Sequence, residues 1–292
     1  MEIQWPLVLF SLTAGTGGSL FAFVGLSEFL GGSAKVRDAG AVCSLALIVI
    51  GGCFSVLHLA SPLHAISAVT NLLSFSGISI ELMLLGACFI VMAAYLAVRK
   101  RSSSDVAAKA LAVAGIVFGL MLGFFCGHGY VIEAQPTWNT ETLPFAYLGT
   151  SLACGAFLFG VLGAIKGDGT ELGGRSAVAS LVAVAIAVVG MVAYVMHVGF
   201  AAASAQALVF WGGIVAVGIV ATLIIAVVGM TGAAKASPLA LSSAGLACAA
   251  VGGIALRALM WLCATGYIDL FSHTVPYFCW IDHRRSCPLI SG

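Results

Sequence analysis

Residues 205–229 read AQALVFWGGIVAVGIVATLIIAVVG, twenty-five positions without Asp, Glu, Lys or Arg. A helix of that length rises ~37 Å at ~1.5 Å per residue, more than the ~30 Å of hydrocarbon in a bilayer. The stretch shows no apolar–polar alternation, so it is not a half-buried strand. In lipid only a helix or a closed barrel satisfies its own backbone. Seven more stretches read the same way: roughly 7–31, 40–60, 79–98, 107–127, 144–165, 176–198 and 239–266. The weak ten-residue alternation of a membrane barrel is absent. The expected fold is all-α, a polytopic membrane protein with eight transmembrane helices.

Composition agrees. Charged residues make up 8% of the chain, against ~25% in a soluble domain. That excludes an ordinary cytosolic enzyme, a disordered chain and a basic nucleic-acid binder. Pro6, Pro62, Pro136, Pro144, Pro238, Pro276 and Pro288 all fall at span ends or in loops, where a missing N–H is tolerated. Gly15, Gly17, Gly18 and Gly25 mark a close-packing face on the first span, as small residues do between helices in lipid. The second and sixth spans end in FSVLHL and AYVMHV. They hold matching places in two halves, which points to two four-helix bundles arranged as a parallel repeat. The expected domains are the anchor, 1–268, and an exposed C-terminal tail, 269–292.

Charge fixes an orientation. Lys35 and Arg37, then Arg99, Lys100, Arg101 and Lys109, then Lys166 and Arg175, then Lys235 all fall in alternate loops. The loops on the other side carry none. The positive-inside rule then places both termini outside. The N-terminus MEIQWPLVLF has no Lys or Arg before its apolar run, so it reads as a retained helix and not a signal peptide. Trp5, Trp138, Trp211, Trp261 and Trp280 fall on the outer half, with Tyr130, Tyr147, Tyr194, Tyr267 and Tyr277. Such a one-sided belt is either an anchoring belt or a docking and ligand face.

None of the nine cysteines forms a CxxC pair, which argues against an iron–sulfur cluster or structural zinc held by this chain. Cys279 and Cys287 in the tail are close enough in sequence to pair.

Ionisable residues at membrane depth are costly and therefore informative. The orientation puts His58, Glu81, His197 and Arg257 all near the outer end, with His128, Glu133 and Glu141 just beyond. Each has a structural alternative. His58 and Glu81 also complement helix dipoles, Arg257 also snorkels to headgroups, and His197 also serves as a packing residue. Glu28, near the inner end of the first span, is expected to face water or headgroups.

These residues carry a resemblance. Trp5-Pro6-Leu7, His58-Leu59-Ala60-Ser61-Pro62 followed by Glu81, Pro136-Thr137-Trp138 with Pro144, and Gly252, Gly253 and Arg257 resemble the membrane anchor subunits of DMSO reductase-type molybdenum oxidoreductases, the DmsC-type anchors. Ala60 stands where that family often has Gly, and the tail is longer. The resemblance implies a haem-free anchor in the cytoplasmic membrane of a bacterium. It would oxidise menaquinol, hold an iron–sulfur electron-transfer subunit and, through it, a molybdopterin catalytic subunit. It implies no haem, iron–sulfur cluster or molybdenum in this chain, and no nucleic acid partner. The family's quinol-site histidine corresponds to His58, and a carboxylate lies in the Glu81 region.

The chemistry suits that reading. Quinol oxidation releases two electrons and two protons, so the site needs a base and a wet exit. His58 accepts a proton near ambient pH; Glu81 relays it or orients His58; Arg257 balances Glu81 or polarises the second quinol oxygen. Pro136, Trp138 and Pro144 are the expected docking residues, on an outer loop rich in aromatics and free of basic residues. Two other classes stay open: a haem b anchor using two of His58, His128 and His197, and a multi-helix transporter.

Overall fold

The computed structural model describes residues 2–57, 76–101, 105–167, 171–233 and 236–264. His58, the tail 269–292 and both of its cysteines lie outside these residues. The described residues contain eight helices long and apolar enough to cross a membrane. They are α1 (Trp5–Leu30), α2 (Ala34–Leu57), α3 (Gly77–Arg101), α4 (Asp105–His128), α5 (Thr142–Lys166), α6 (Ser176–Val198), α7 (Leu208–Thr231) and α8 (Pro238–Leu262). Pro6 opens α1 and Pro238 opens α8, both in the first turn, where no intrahelical N–H bond is lost. Ser237 caps α8, its hydroxyl accepting from the Ala240 N–H at 3.2 Å.

Two boundaries differ from the sequence reading. The second helix starts at Ala34 instead of residue 40, because Gly31 and Gly32 reverse the chain with φ of 80° and 140°. Lys35, Arg37 and Asp38 therefore lie within α2 and not in a loop. The seventh span is not one uniform α-helix. A short helix, Phe200–Ala205, precedes it, and Leu208–Ala221 is wound as a π-helix before Thr222–Thr231 returns to α. The Thr222 hydroxyl donates to the Val217 carbonyl, five residues back, at 2.9 Å; long π stretches are rare.

The helices form two rings of four. α1 packs on α2 and α4, and α3 closes the ring against both; α5 repeats this with α6 and α8, and α7 closes the second ring. The rings meet chiefly through α1 and α5, with α4 and α8 alongside. This is the two-bundle arrangement expected from the paired second and sixth spans. The helix α1 is the most enclosed of the eight, because glycines let its neighbours approach backbone to backbone. A Cβ on Gly18 would lie 2.6 Å from the Gly119 carbonyl oxygen of α4, and Gly119 meets Gly18 as closely in return. A Cβ on Gly218 of α7 would lie 2.7 Å from the Gly252 Cα of α8.

The two ends of the molecule differ in chemistry. The aromatic end gathers the starts of α1, α3, α5 and α7. At the opposite, basic end, Glu28 does not face water or headgroups as the sequence suggested. Its side chain is 5% exposed and serves as a hub for three helices. Arg37 of α2 pairs with it at 2.9 Å, Arg99 of α3 at 3.7 Å, and Tyr95 of α3 donates its O–H at 2.6 Å. Arg99 also reaches Asp38 at 3.4 Å.

Gly18→Leu should destabilise the fold by ~3 kcal/mol or more, since overpacking at a backbone contact has no side chain to displace. Gly86→Leu should be nearly neutral, because a Cβ there meets nothing within 4 Å. Thermal unfolding of the two variants in one detergent compares them directly; equal melting would contradict the close-packed α1–α4 seam.

Candidate functional site

Arg257 lies five residues before the end of α8, about 8 Å in from the aromatic end at ~1.5 Å per residue. It does not snorkel: its side chain is 0% exposed. Its Nε donates to the Ser11 hydroxyl of α1 at 2.9 Å. Its Nη1 donates to the Thr150 hydroxyl of α5 at 3.1 Å and to the Gly253 carbonyl at 3.0 Å. Both hydroxyls donate in turn to carbonyls of their own helices, Ser11 to Val8 and Thr150 to Ala146. Their lone pairs are thereby left for the guanidinium. Its Cζ stands 4.1 Å from the Tyr147 ring centroid, a cation–π contact in a desolvated place. Arg257 Nη2 has no hydrogen-bond partner, and no carboxylate among the described residues pairs with the guanidinium.

Glu81 stands in the second turn of α3. Its carboxyl fills the space a side chain at position 129 would occupy: a Cβ on Gly129 would lie 2.6 Å from Glu81 Oε1. Glu81 and Arg257 form no ion pair, so the direct balancing of one by the other is not what the structure holds. Glu81 reaches the aromatic cluster beside Tyr130, at Gly129, and Arg257 reaches it at the Tyr147 ring, which meets Tyr130.

The cluster is built from the α4–α5 loop and the end of α8. Tyr130 meets Trp138, Tyr147 and Trp261 at centroid distances of 5.8, 6.0 and 6.0 Å. Trp138 meets Trp261 at 5.0 Å, and its indole N–H donates to the Met260 carbonyl at 2.9 Å. That bond satisfies the Met260 carbonyl in the last turn of α8, where the Leu259 and Trp261 carbonyls accept from the cap residues Cys263 and Ala264. Of the three expected docking residues, Trp138 and Pro144 are buried in this chain's own interior, and only Pro136 is exposed. Trp138 therefore holds the loop in place and does not present a surface. Desolvation pushes the Tyr130 phenol up from its ordinary range.

The other candidates attach to the same loop. His197 is exposed, with Nε2 3.0 Å from the Pro136 carbonyl oxygen. His128 lies 3.5 Å from Glu141 and stacks on Phe124. Buried polar atoms without a hydrogen-bond partner gather at this end: both amide atoms of Gln135, the Thr137 and Tyr194 hydroxyls, the Trp261 indole nitrogen and Arg257 Nη2. Such atoms are rare in folded proteins. No group of three His, Cys, Asp or Glu suited to a metal occurs among the described residues.

The family model described as DMSO reductase anchor subunit (DmsC) matches residues 1–246. The chain belongs to the DmsC family. Comparison with curated proteins gives no match. The protein is thus a multi-pass membrane anchor of a DMSO reductase-type complex, which implies catalytic and electron-transfer partners. The matched residues take in Glu81, Tyr130, Trp138, Tyr147 and Thr150 but end before Arg257.

Sequence reasoning singled out Glu81 and Arg257 at this end, but not the contact of Tyr147 with Arg257 or the buried polar atoms of Gln135 and Tyr194. Tyr147 and Tyr194 were readable as aromatic-end residues, but nothing in the spacing sets one under a guanidinium. Replacing Trp138 with Phe keeps the ring contacts and removes the bond to Met260. It should cost ~1 kcal/mol and speed proteolysis within residues 129–141. Unchanged cleavage would show that the indole bond does not hold the loop.

Proposed function

We propose that this DmsC-family anchor oxidises menaquinol at its aromatic end and passes the electrons to an iron–sulfur subunit docked on that end. The observation that carries the reading is Arg257. A guanidinium buried in a membrane helix bundle, with Nη2 unpartnered and no counter-ion, is costly unless a ligand completes it. A quinol or quinone oxygen is a fitting acceptor, and the apolar helix faces admit an isoprenoid tail.

In this reading His58, Glu81 and Arg257 bind the quinol. Arg257 Nη2 donates to one ring oxygen. His58, directly after α2, takes the proton from a quinol hydroxyl, and Glu81 passes it toward water past Gly129. Two protons leave to the aromatic side and two electrons leave to the partner's cluster, so quinol becomes quinone with all charges accounted for. Tyr147 fixes the guanidinium plane from below. In this reading the aromatic end and both termini face the outside of the cytoplasmic membrane of a bacterium, as the basic loops at the other end favour, and the partner subunits sit on the same side.

Glu81→Gln and Arg257→Gln should each lower quinol-dependent substrate reduction by ~100-fold. Reduction driven by an artificial donor to the soluble subunits should stay at the wild-type rate. His58→Ala should behave alike. The absence of an ion pair sharpens the double variant. Losses should be additive in stability without quinol and non-additive in quinol turnover. Normal quinol turnover in Glu81→Gln would remove the carboxyl from the mechanism.

Electrons and protons that leave on one side carry no net charge across the bilayer. In sealed liposomes, quinol-dependent turnover should leave a potential-sensitive dye unchanged. A potential that builds and collapses with an ionophore would place the docking side or the proton exit at the opposite face.

A further inference from the structure

The two bundles end differently at the basic end. In the first, the end of α1, the start of α2 and the end of α3 carry Glu28, Arg37, Asp38, Tyr95 and Arg99, which bind one another and close it. The corresponding turns of the second bundle carry Gly163 and Gly167, Ser176 and Ala177, and Ala226 and Gly229. In place of an ionic seal lies a cavity of about 600 Å³. It holds about twenty water-sized groups at ~30 Å³ each, the bulk of one acyl chain.

The lining says what fills it. Phe157, Ile225 and Leu241 supply apolar walls, with Ser180 and Ser242 between them. Among the described residues no Asp, Glu, His, Tyr, Cys, Lys or Arg lines it. Its described lining therefore has no group to exchange protons with a quinol and none to ligate a metal. The rim is different. α6 and α8 both begin there, so two positive helix ends meet at the mouth. No side chain caps α6, and exposed Arg175 stands between rim residues Gly174 and Ser176. The rim offers donors for one phosphate.

We infer that this cavity is a phospholipid site. One acyl chain fills it, and the phosphodiester rests at the rim against the start of α6 and Arg175. The lipid seals the second bundle as the Glu28 network seals the first.

The test is the lipid retained when the whole complex is purified in mild detergent, measured by native mass spectrometry and phosphorus content. One tightly held phospholipid per complex is expected. Gly229→Leu puts a side chain into the cavity without a clash, since a Cβ at 229 meets nothing within 4 Å. It should lower retention at least tenfold while the complex still assembles and reduces substrate with an artificial donor. Arg175→Gln should weaken retention of phospholipid but not of added diacylglycerol, which lacks the phosphate. Equal retention in wild type and Gly229→Leu, or a quinone in place of the phospholipid, overturns the inference. Both readouts are independent of Glu81 and Arg257.

Discussion

A guanidinium without a counter-ion among the described residues sits where α1, α5 and α8 meet, and the surrounding structure is arranged to hold it. Taking such a charge out of water costs several kcal/mol even after relaxation. Four partners offset part of that cost: Ser11, Thr150, the Gly253 carbonyl and the Tyr147 ring. Each comes from a helix at the seam between the two bundles. Gly253 has a specific part here, because a Cβ on it would lie 2.9 Å from Leu12 and 3.4 Å from Arg257 Nη1. Without a side chain at that position, the guanidinium folds back onto its own helix and α1 stays close.

The same seam explains how the aromatic loop is set. Met260 accepts from Trp138 through its carbonyl and from Tyr147 through its sulfur at 3.4 Å. Trp138 and Trp261 pack on each other and on Tyr130. The loop, the end of α8 and, through Tyr147, the guanidinium therefore form one unit, with Glu81 against Gly129 beside Tyr130. Polar atoms without a hydrogen-bond partner collect at this end, as the proposed quinol site requires.

Much of this was legible in the sequence, and the reasons are physical. Span number follows from apolar length, which the bilayer enforces. The sharing of one end by Glu81, His197 and Arg257 follows from alternating helix direction. Four features were not legible. Glu28 was expected to face solvent because its partners Arg37, Tyr95 and Arg99 lie on other helices. The early start of α2 depended on two positive-φ glycines. Arg257 was readable as a membrane-depth cation, but its neutral partners Ser11 and Thr150 carry no signal in the sequence, since serine and threonine are common in membrane helices. Trp138 was read as a surface aromatic because a loop tryptophan shows nothing of the carbonyl it reaches.

The central claim is that the quinol binds between Glu81 and Arg257, at the end opposite the large cavity. A photoreactive azidoquinone, activated on the intact complex and mapped by peptide mass spectrometry, tests it directly. The account predicts label on the first turns of α3, on residues 126–130 and around Arg257, with excess menaquinol competing it away. Competed label on Phe157, Ser180 or Ile225 instead would place the quinol at the basic end and contradict the account.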